Sequence, residues 1–378
     1  MTSVMIGLFL FCAAVLYYVY HGYGVVLRLL ALGRQERAPA AVPDDALPTV
    51  TLLLTVHNEE RNIERRLANI LAQDFPKDRL DVLVASDGST DRTDAMVEAY
   101  GNPVRLIRAD RLGKSGTQNL AVPEARGEVV VLTDADAEFA PDFLRRVAEA
   151  FVDPTVGCVT TELHMAQLGG AVSQGQGYYW SYELKIRALE SRLGILAVAS
   201  GQAMAFRRSA FVPLPRDVGD DCMIPLDAAL QGLRVVHLKS ARAWDSMAAE
   251  ASGEFRARVR MTLRNWIGTW RRGALLNPLR YPGYAWALWS HKLLRWLGPV
   301  FLIAMTVSAA VLAVEGIWIP AALMGLLYGA GLAGWWADRS GKSLPGAGTI
   351  YSFLLANLGF LVGLSKALAG QSIVQYRK

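Results

Sequence analysis

The sequence predicts an α/β fold with a mostly parallel sheet, flanked by helices that cross a membrane or lie on it. Between residues 48 and 250, short apolar runs alternate with segments of helical periodicity, as in sheets with crossover helices. Three of these runs end in acidic or amide side chains. Hydrophobic residues make up 52% of the 378 residues and charged residues 19%, which is too apolar for an ordinary soluble protein.

The first apolar stretch, residues 4–32, is long enough to cross a bilayer and is almost uncharged until Arg28. A cleaved signal peptide is the alternative, but its basic residues would precede the apolar run, whereas Arg28, Arg34 and Arg37 follow it. We therefore expect a membrane span with its amino end outside and the next domain in the cytoplasm. Residues 33–47, rich in Ala and Pro, form the predicted linker.

Four strands are predicted in the first half of the α/β region. They are Thr49–Val56, Leu80–Ser86, Val104–Ala109 and the apolar run that begins at Val129. Helices are predicted in the segments between them. Gly113 and Gly116 flank Lys114, and we expect these residues to form a loop before the next helix.

The stretch Gly127–Phe139 contains a buried-strand pattern followed by two carboxylates, Asp134 and Asp136. At the carboxyl end of a parallel strand, such a pair faces the crevice in which open α/β sheets bind ligands. Its oxygen atoms suit a divalent cation that is shared with a diphosphate. Taken alone, two aspartates at this spacing more often belong to a solvent-exposed turn than to a metal site. The polar residues that end two other strands, near His57 and Asp87, favour a nucleotide-binding crevice.

The second half of the α/β region begins with a strand near residues 157–162 and a long helix at Tyr178–Arg192. Ser200–Arg208 follows, and the sequence Gly-Asp-Asp that ends at Asp221 opens a helix at Met223–Gln231. A last strand is predicted at Leu233–Leu238.

Two helices within residues 251–296 are predicted to lie in the membrane interface, because each carries basic residues beside tryptophans. The basic side of the first helix contains Arg256, Arg260, Arg264 and Arg271, and its apolar side contains Trp266 and Trp270. In the second helix, His291 and Lys292 are expected at the lipid head groups.

The C-terminal region, residues 297–378, contains predicted spans at residues 297–314, 317–336 and 349–366. With the first span these make four, so an amino terminus outside puts the basic tail, Arg377 and Lys378, outside as well. Basic residues prefer the cytoplasmic side, so this topology runs against that preference. Either the tail is an exception or the last stretch does not cross fully, and both interpretations stay open. The basic residues fit an anionic membrane surface, and no module that would bind nucleic acid accompanies them.

Five motifs, in this order, resemble those of glycosyltransferase family 2: VHNEE, SDGSTDRT, GKSGTQN, TDADAEF and GDD. The resemblance covers residues 48–272 and is greatest to the membrane-embedded branch that includes hyaluronan, cellulose and poly-N-acetylglucosamine synthases. It implies a GT-A fold, which is a Rossmann-like domain that binds a nucleotide sugar. It also implies a multi-pass protein of the cell membrane with its catalytic domain in the cytoplasm.

The resemblance implies a donor site at the edge of the sheet. The residues that would bind the nucleotide or its diphosphate are His57, Glu59, Asp87, Lys114 and Asp134. Asp134 and Asp136 correspond to the DxD pair, in which the first carboxylate faces the nucleotide and the second binds the Mg2+ or Mn2+ that bridges the diphosphate. The implied nucleotide is UDP, although nothing in the sequence excludes another.

The resemblance also implies an acceptor site. Asp221 takes the position of the general base, while Asp220 is the less favoured base because adjacent residues at a helix start point in different directions. Gly201 and Gln202 would lie near the acceptor.

One motif departs from the family pattern. The processive synthases have Gln-x-x-Arg-Trp on the interfacial helix, whereas this sequence has Thr262 and Asn265 at the Gln and Arg positions and retains only Trp266. Arg260 or Arg264 would then have to reach the diphosphate.

This departure and the few predicted spans favour transfer of one or a few sugars to a lipid, lipid-linked or glycan acceptor. A processive polysaccharide synthase with coupled secretion is one alternative. A membrane subunit that binds a nucleotide sugar without catalysis is the other, although every carboxylate that the chemistry needs is present. The sequence indicates no oligomeric state.

Overall fold

The computed structural model of the protein describes residues 1–34, 40–166, 171–246, 251–340, 342, 344 and 346–372. Arg37 and the basic C-terminal tail lie outside the described residues. One sheet contains the strands β1 Val50–Val56, β2 Leu80–Asp87, β3 Val104–Ala109, β4 Val129–Thr133, β5 Glu138–Phe139, β6 Val156–Ala166, β7 Ala203–Arg207 and β8 Arg234–Ser246.

Helices precede the sheet, connect its strands and follow it. Those before and within the sheet region are α1 Thr2–Leu30, α2 Ile63–Leu71, α3 Thr93–Glu98, α4 Lys114–Ala121, α5 Phe143–Ala150, α6 Ala171–Leu193 and α7 Asp220–Leu230. Those that follow are α8 Ala251–Arg271, α9 Pro282–Trp296, α10 Gly298–Val314, α11 Ile319–Arg339 and α12 Ala347–Leu368.

The strand order is β3-β2-β1-β4-β7-β6-β8-β5. The neighbours among β1 to β4 are parallel, as predicted, and β6 is parallel to β8. β7 is antiparallel to both β4 and β6, and β5 is antiparallel to β8. The predicted α/β class is confirmed, with a sheet that is parallel over the strands carrying the motifs and mixed beyond them.

Alternating side chains of the central strands form an apolar core on each face of the sheet. Leu52 and Leu54 of β1 lie in one core and Leu53 in the other. The same alternation places Val131 on the first face and Leu132 on the second. Full burial of such a side chain stabilises the fold by about 1.5–3 kcal/mol, so these cores fix the strand ends on which the polar motifs stand.

Two segments differ from the sequence prediction near the polar motifs. Lys114 and Gly116 belong to the first turn of α4, because the chain turns at Gly113, whose φ is 77°, and enters the helix directly. α7 begins at Asp220, three residues earlier than predicted, so that both aspartates lie in its first turn. Negative side chains are favourable at that position in a helix.

Three of the described helices, α1, α11 and α12, are long and apolar enough to cross a membrane. α9 and α10 pass the same test only together and are bent by 55° at their junction, so they would add a fourth crossing if the pair is one span. α12 lies directly against α8, since a Cβ on Gly359 would be 2.7 Å from Cβ of Arg258 and one on Gly363 would be 2.7 Å from Cβ of Thr262.

Candidate active site

The polar ends of β1, β2 and β4 meet at one edge of the sheet, as the sequence predicted. Val56 is paired with Ser86, and Leu54 with Thr133, so His57, Asp87 and Asp134 leave the sheet close together. Nδ1 of His57 lies 3.0 Å from the carbonyl oxygen of Asp87. The carboxyl ends of these parallel strands therefore form the crevice expected for a ligand.

The Asp87 carboxylate holds the start of α4 in place. It is buried and accepts hydrogen bonds from the amide of Gly113 (3.1 Å) and the hydroxyl of Thr117 (2.9 Å). Nη1 of Arg111 donates a third bond at 3.2 Å. Because Lys114 follows Gly113, these bonds fix the direction in which the Lys114 side chain leaves the helix.

Lys114 links the end of β4 to the start of α7. Its Nζ lies 2.8 Å from Oδ1 of Asp134 and 3.3 Å from Oδ2 of Asp220. Burial alone would lower the pKa of Lys114, but these two carboxylates outweigh it and raise that pKa above its ordinary value. The lysine is therefore a fixed cation at the centre of the crevice.

A cavity of about 460 Å³ surrounds this lysine. Its lining includes nine of the residues that the sequence singled out, namely Lys114, Asp134, Asp136, Gly201, Gln202, Asp220, Asp221, Arg260 and Arg264. His57, Glu59 and Asp87 lie at the same sheet edge outside this lining, among the described residues. There the Glu59 carboxylate accepts a hydrogen bond from Asn62 at 2.8 Å.

Asp220 and Asp221 are neighbours with different surroundings. The Asp220 carboxylate, 6% exposed, accepts a hydrogen bond from Gln118 at 2.7 Å in addition to its contact with Lys114. Burial alone would raise the pKa of Asp220, but Lys114 and Gln118 outweigh it and lower that pKa. For Asp221, burial and the charge of Asp220 together raise the pKa. Of the two, Asp221 is thus the carboxylate with the greater affinity for a proton.

The donor set at the end of β4 fits a divalent cation that is bound together with a diphosphate. Asp136 is exposed to the cavity, while Asp134 is engaged by Lys114. Among the described residues there is no group of three or more His, Cys, Asp or Glu side chains that could enclose a metal ion. Mg2+ is commonly held by one or two carboxylates together with substrate phosphates and water. We therefore expect this acidic pair to bind a divalent cation only when the diphosphate of the substrate is also bound.

Arg66 is a buried cation behind the acidic pair that the sequence analysis missed. Its guanidinium, in a side chain that is 1% exposed, donates to Oγ1 of Thr133 (2.6 Å) and lies 4.0 Å from the ring centre of Phe139. Burial lowers the pKa of Arg66 to about 9, and the charge of Asp134 opposes that change. Its spacing from Ile63, three residues, places it on the apolar side of α2, a signal that could have revealed it.

α8 contributes two arginines to the cavity, in different ways. Arg264 is 4% exposed and its Nη2 donates to the carbonyl of Val218. Arg264 was predicted on the basic side of a helix in the membrane interface, but it is buried because α8 packs against α7 along that side. Arg260 is partly exposed and lines the cavity. Trp266 is not among the residues that line the cavity, and its ring centre lies 6.2 Å from that of Trp296.

A second group of buried charges joins α6 to α9, and we call it the helix-contact cluster. Its members are Glu183, Arg187, Glu190, His291, Lys292 and Arg295. Oε2 of Glu183 lies 2.9 Å from both Nε2 of His291 and Nη1 of Arg295, and Oε1 lies 3.0 Å from Nζ of Lys292. Burial alone would raise the pKa of Glu183, but His291 and Lys292 outweigh it and lower that pKa.

The prediction that His291 and Lys292 lie at the lipid head groups is wrong. His291 is 1% exposed, and its two ring nitrogens face Glu183 and Glu190. A π-helical turn at Leu288–Leu293 rotates this part of α9 toward α6. The sequence signal was the spacing of Glu183 and Glu190, which puts two acidic side chains on the same side of α6 as the buried Ile186.

Known proteins that are similar to this chain indicate the family to which the site is related. The sequence profile described as "Glycosyl transferase family 2" matches residues 51–213. The chain is also similar to the solved structure of the mannosyltransferase PcManGT from Pyrobaculum calidifontis in complex with GDP-Man and Mn2+. The TM-score is 0.72 at 25% sequence identity, and the match covers 97% of this chain and 100% of that one.

Curated relatives match over shorter lengths. An N-acetylglucosaminyltransferase of Rhizobium meliloti is 28% identical over 54% of this chain and 53% of that protein. A beta-monoglucosyldiacylglycerol synthase of Synechocystis sp. is 32% identical over 35% of this chain and 30% of that protein. The chain thus spans about half the length of the first relative and a third of the second. The predicted resemblance to glycosyl transferase family 2 is confirmed for residues 51–213, and the predicted GT-A type of fold is confirmed by the similar mannosyltransferase structure.

Proposed function

We propose that the protein is an inverting glycosyltransferase that moves a sugar from a nucleotide sugar to a hydroxyl group of a lipid, lipid-linked or glycan acceptor. One observation carries the proposal: a single cavity contains the acidic pair at the end of β4, the cation Lys114 and the carboxylate of Asp221. Leaving-group stabilisation and acceptor activation need these groups within reach of one substrate. The match to the family supports the same reaction class.

The donor would bind with its diphosphate beside Lys114 and its nucleoside toward the edge of the sheet. Lys114 supplies a fixed positive charge that needs no rearrangement during the reaction. His57, Glu59 and Asp87 would contact the nucleoside, and Asp87 would also hold Lys114 in place through the start of α4. The sequence resemblance favours UDP, and the similar mannosyltransferase structure contains GDP-Man.

Asp136, with Asp134 beside it, would hold Mg2+ or Mn2+ together with the diphosphate oxygens. When bound, the cation supplies Lewis-acid stabilisation of the charge that develops on the departing diphosphate. The Mn2+ in the similar mannosyltransferase structure supports a divalent cation, without choosing between the two metals. Arg66, behind the pair, would keep the loop that follows β4 in position through its bond to Thr133.

Asp221 would act as the general base. Its raised pKa brings its proton affinity closer to that required at neutral pH than that of an ordinary aspartate. The acceptor oxygen would lose its proton to Asp221 and attack the anomeric carbon opposite the diphosphate, which inverts the configuration. Asp220, which is bound to Lys114 and Gln118, would position substrate and cation instead.

The remaining residues of the cavity would orient the two substrates. Gly201 and Gln202 would contact the acceptor, and Arg260 would contact the diphosphate. Arg264 would hold the loop before α7 through its bond to Val218. Trp266 would act at a distance, by packing α8 against α9 through Trp296.

We further propose that the protein is bound to the cell membrane with the catalytic domain on the cytoplasmic side. The apolar helices α1, α11 and α12 support membrane association. The proposed regions are an N-terminal membrane helix (1–32), a linker (33–47), a catalytic domain (48–250), two helices that connect it to the membrane (251–296) and a C-terminal membrane region (297–378).

The test is to offer the purified full chain a panel of nucleotide sugars with Mg2+ or Mn2+ and to measure release of nucleoside diphosphate. We expect one donor to be turned over, and Asp136→Asn to abolish its turnover. Donor binding without turnover would instead indicate a non-catalytic subunit. Membranes supplied with the labelled donor then give the product size, and a ladder of long chains would indicate a processive synthase.

A further inference from the structure

A second cavity lies between the membrane-type helices α1 and α12 and the ends of α6 and α8 that face them. Its volume is about 700 Å³, which is within the range of sites that bind small organic molecules. The apolar part of its wall is formed by Leu16, Val25, Ile350, Phe353, Ala356 and Phe360. Two apolar helices thus supply a wall that suits hydrocarbon rather than water.

This membrane-side cavity shares part of its wall with the active-site cavity. Tyr179, Glu254 and Arg258 line both. The Tyr179 ring lies between two guanidinium groups, 4.8 Å from that of Arg258 and 5.4 Å from that of Arg295. Its hydroxyl accepts a hydrogen bond from Nη1 of Arg295 at 2.8 Å. The apolar cavity and the active-site cavity are therefore adjacent at Tyr179, Glu254 and Arg258.

The shared wall has little charge to offer an anionic head group. Nε of Arg258 lies 2.5 Å from Oε1 of Glu254, so the two charges neutralise each other. Arg28, another cation of the cavity wall, is exposed to solvent. Oγ of Ser352, in contrast, is buried with no hydrogen-bond partner among the described residues. A neutral polar group, such as an ester carbonyl or a hydroxyl, fits these surroundings better than a phosphate.

We propose that the membrane-side cavity binds the hydrocarbon chain of the acceptor, and that the acceptor is a neutral membrane lipid with a free head-group hydroxyl. This inference rests on the proposed function. The lipid oxygen would form a bond to the anomeric carbon as the bond to the diphosphate breaks. The bonding electron pair would leave with the nucleoside diphosphate, and the hydroxyl proton would pass to Asp221. The Tyr179 and Arg258 side chains would position the head group at the shared wall.

The experiment compares cavity-filling variants with matched lipid-facing controls in the full chain. Ala356→Trp on α12 and Val25→Trp on α1 add an indole at two positions that line the cavity, of which Ala356 is half-buried and Val25 is 48% exposed. Leu358→Trp and Leu29→Trp place the same group on exposed positions of the same two helices. The two measured quantities are transfer to dioleoylglycerol in mixed micelles and release of nucleoside diphosphate without acceptor.

We expect each cavity-filling variant to lower transfer to dioleoylglycerol about 10-fold or more, since a small displacement of a reacting group has an effect of that size. Release of nucleoside diphosphate to water should stay within about twofold, which also shows that the variants are folded. Both control variants should behave as the wild type. Transfer by Ala356→Trp and Val25→Trp at the wild-type rate would overturn the proposal.

Photo-crosslinking gives a second readout that does not need turnover. A diacylglycerol with a diazirine in one acyl chain should label residues 16–25 and 350–360 of the wild type, and Ala356→Trp should abolish that labelling. Labels spread evenly over the exposed faces of the helices, or transfer only to water-soluble glycans, would refute the lipid site alone. Absence of nucleoside diphosphate release with every donor would refute the proposed function itself.

Discussion

Two groups of partly buried charges meet at the active-site cavity, which Glu183, Arg187 and Lys292 of the helix-contact cluster also line. The two groups differ in how much of their charge is left for a substrate. In the active-site cavity, Lys114 bridges Asp134 and Asp220, while Asp136 and Asp221 remain available to a substrate. In the helix-contact cluster, Glu183 is bound to Arg187, Lys292 and Arg295, and Glu190 contacts His291. Carboxylate charge is thus left available to a substrate in the first group and is neutralised within the protein in the second.

This difference indicates that the first group serves the reaction and the second holds the helices together. At Asp221, burial and the charge of Asp220 outweigh the nearby cations and raise the pKa, which destabilises the fold but provides a base. A carboxylate surrounded by cations has a lowered pKa and holds helices together, as Glu183 does. We therefore expect substitutions in the first group to reduce activity with little loss of stability, and substitutions in the second to reduce stability first.

The largest effect is expected from Asp221→Asn. An amide cannot accept the acceptor proton, so transfer should fall about 1000-fold, as for other losses of a general base. Donor affinity, measured by titration, should change less than about threefold, because the proposed base would contact the acceptor and not the donor. Asp217→Asn, at the ion pair with the exposed Arg271, is the matched control and should retain wild-type transfer. Equal loss of donor affinity in Asp221→Asn would assign the residue to donor binding instead.

Glu183→Gln should have the next largest effect, which we expect on the free energy of unfolding. The change leaves His291, Lys292 and Arg295 without their common counter-ion, and breaking such a buried group typically costs about 3–5 kcal/mol. Glu98→Gln removes an exposed ion pair with Arg108 and should change the free energy of unfolding by less than about 1 kcal/mol. Denaturation of both variants in the same detergent checks this difference. Similar stabilities would show that the helix-contact cluster does not hold α9 against α6.

The parallel half of the sheet and the acidic pair were predictable from sequence, because each depends on a local pattern. The apolar runs of β1, β2 and β4 define strands, and parallel pairing brings their ends to one edge. Lys114 and Asp221 were assigned by family resemblance. Their common cavity depends on the contacts of Lys114 and Gln118 in α4 with Asp220 in α7, which no local sequence pattern predicts.

The helix-contact cluster could not be predicted in the same way. His291 and Lys292 stand among tryptophans in a sequence typical of a membrane interface. Their burial depends on the π-helical turn in α9 and on the carboxylates of α6, about a hundred residues away in the chain. The spacing of Glu183 and Glu190 indicated the acidic half of the cluster, but nothing in the sequence identified its partners on α9.

Gly219→Ala should have a moderate effect that is confined to the active-site group. A Cβ at this position would lie 2.2 Å from Oδ1 of Asp221, and the backbone φ of −83° accepts alanine, so the carboxylate would be displaced while the fold persists. We expect transfer to fall about 10-fold with unchanged donor affinity, because small displacements of a catalytic group have effects of this size or larger. Gly273→Ala, where a Cβ would meet open space, should be silent in the same assay. Unchanged transfer in Gly219→Ala would mean that the position of Asp221 does not limit the reaction.

The smallest expected effect is a pH-dependent difference in stability between the wild type and Asp221→Asn. The pKa of Asp221 is higher in the folded protein than in the unfolded chain, so the folded state binds its proton more tightly. Above the folded pKa the ionised carboxylate destabilises the fold, and Asp221→Asn should then be the more stable of the two. As the pH falls below that pKa the folded wild type takes up its proton and the difference should shrink, until it vanishes near the ordinary pKa of an aspartate in the unfolded chain. Thermal unfolding of both proteins from pH 8 to pH 4 measures this trend. A wild type that is more stable than Asp221→Asn at pH 8 would place Asp221 with Glu183, among the charges that hold the fold together.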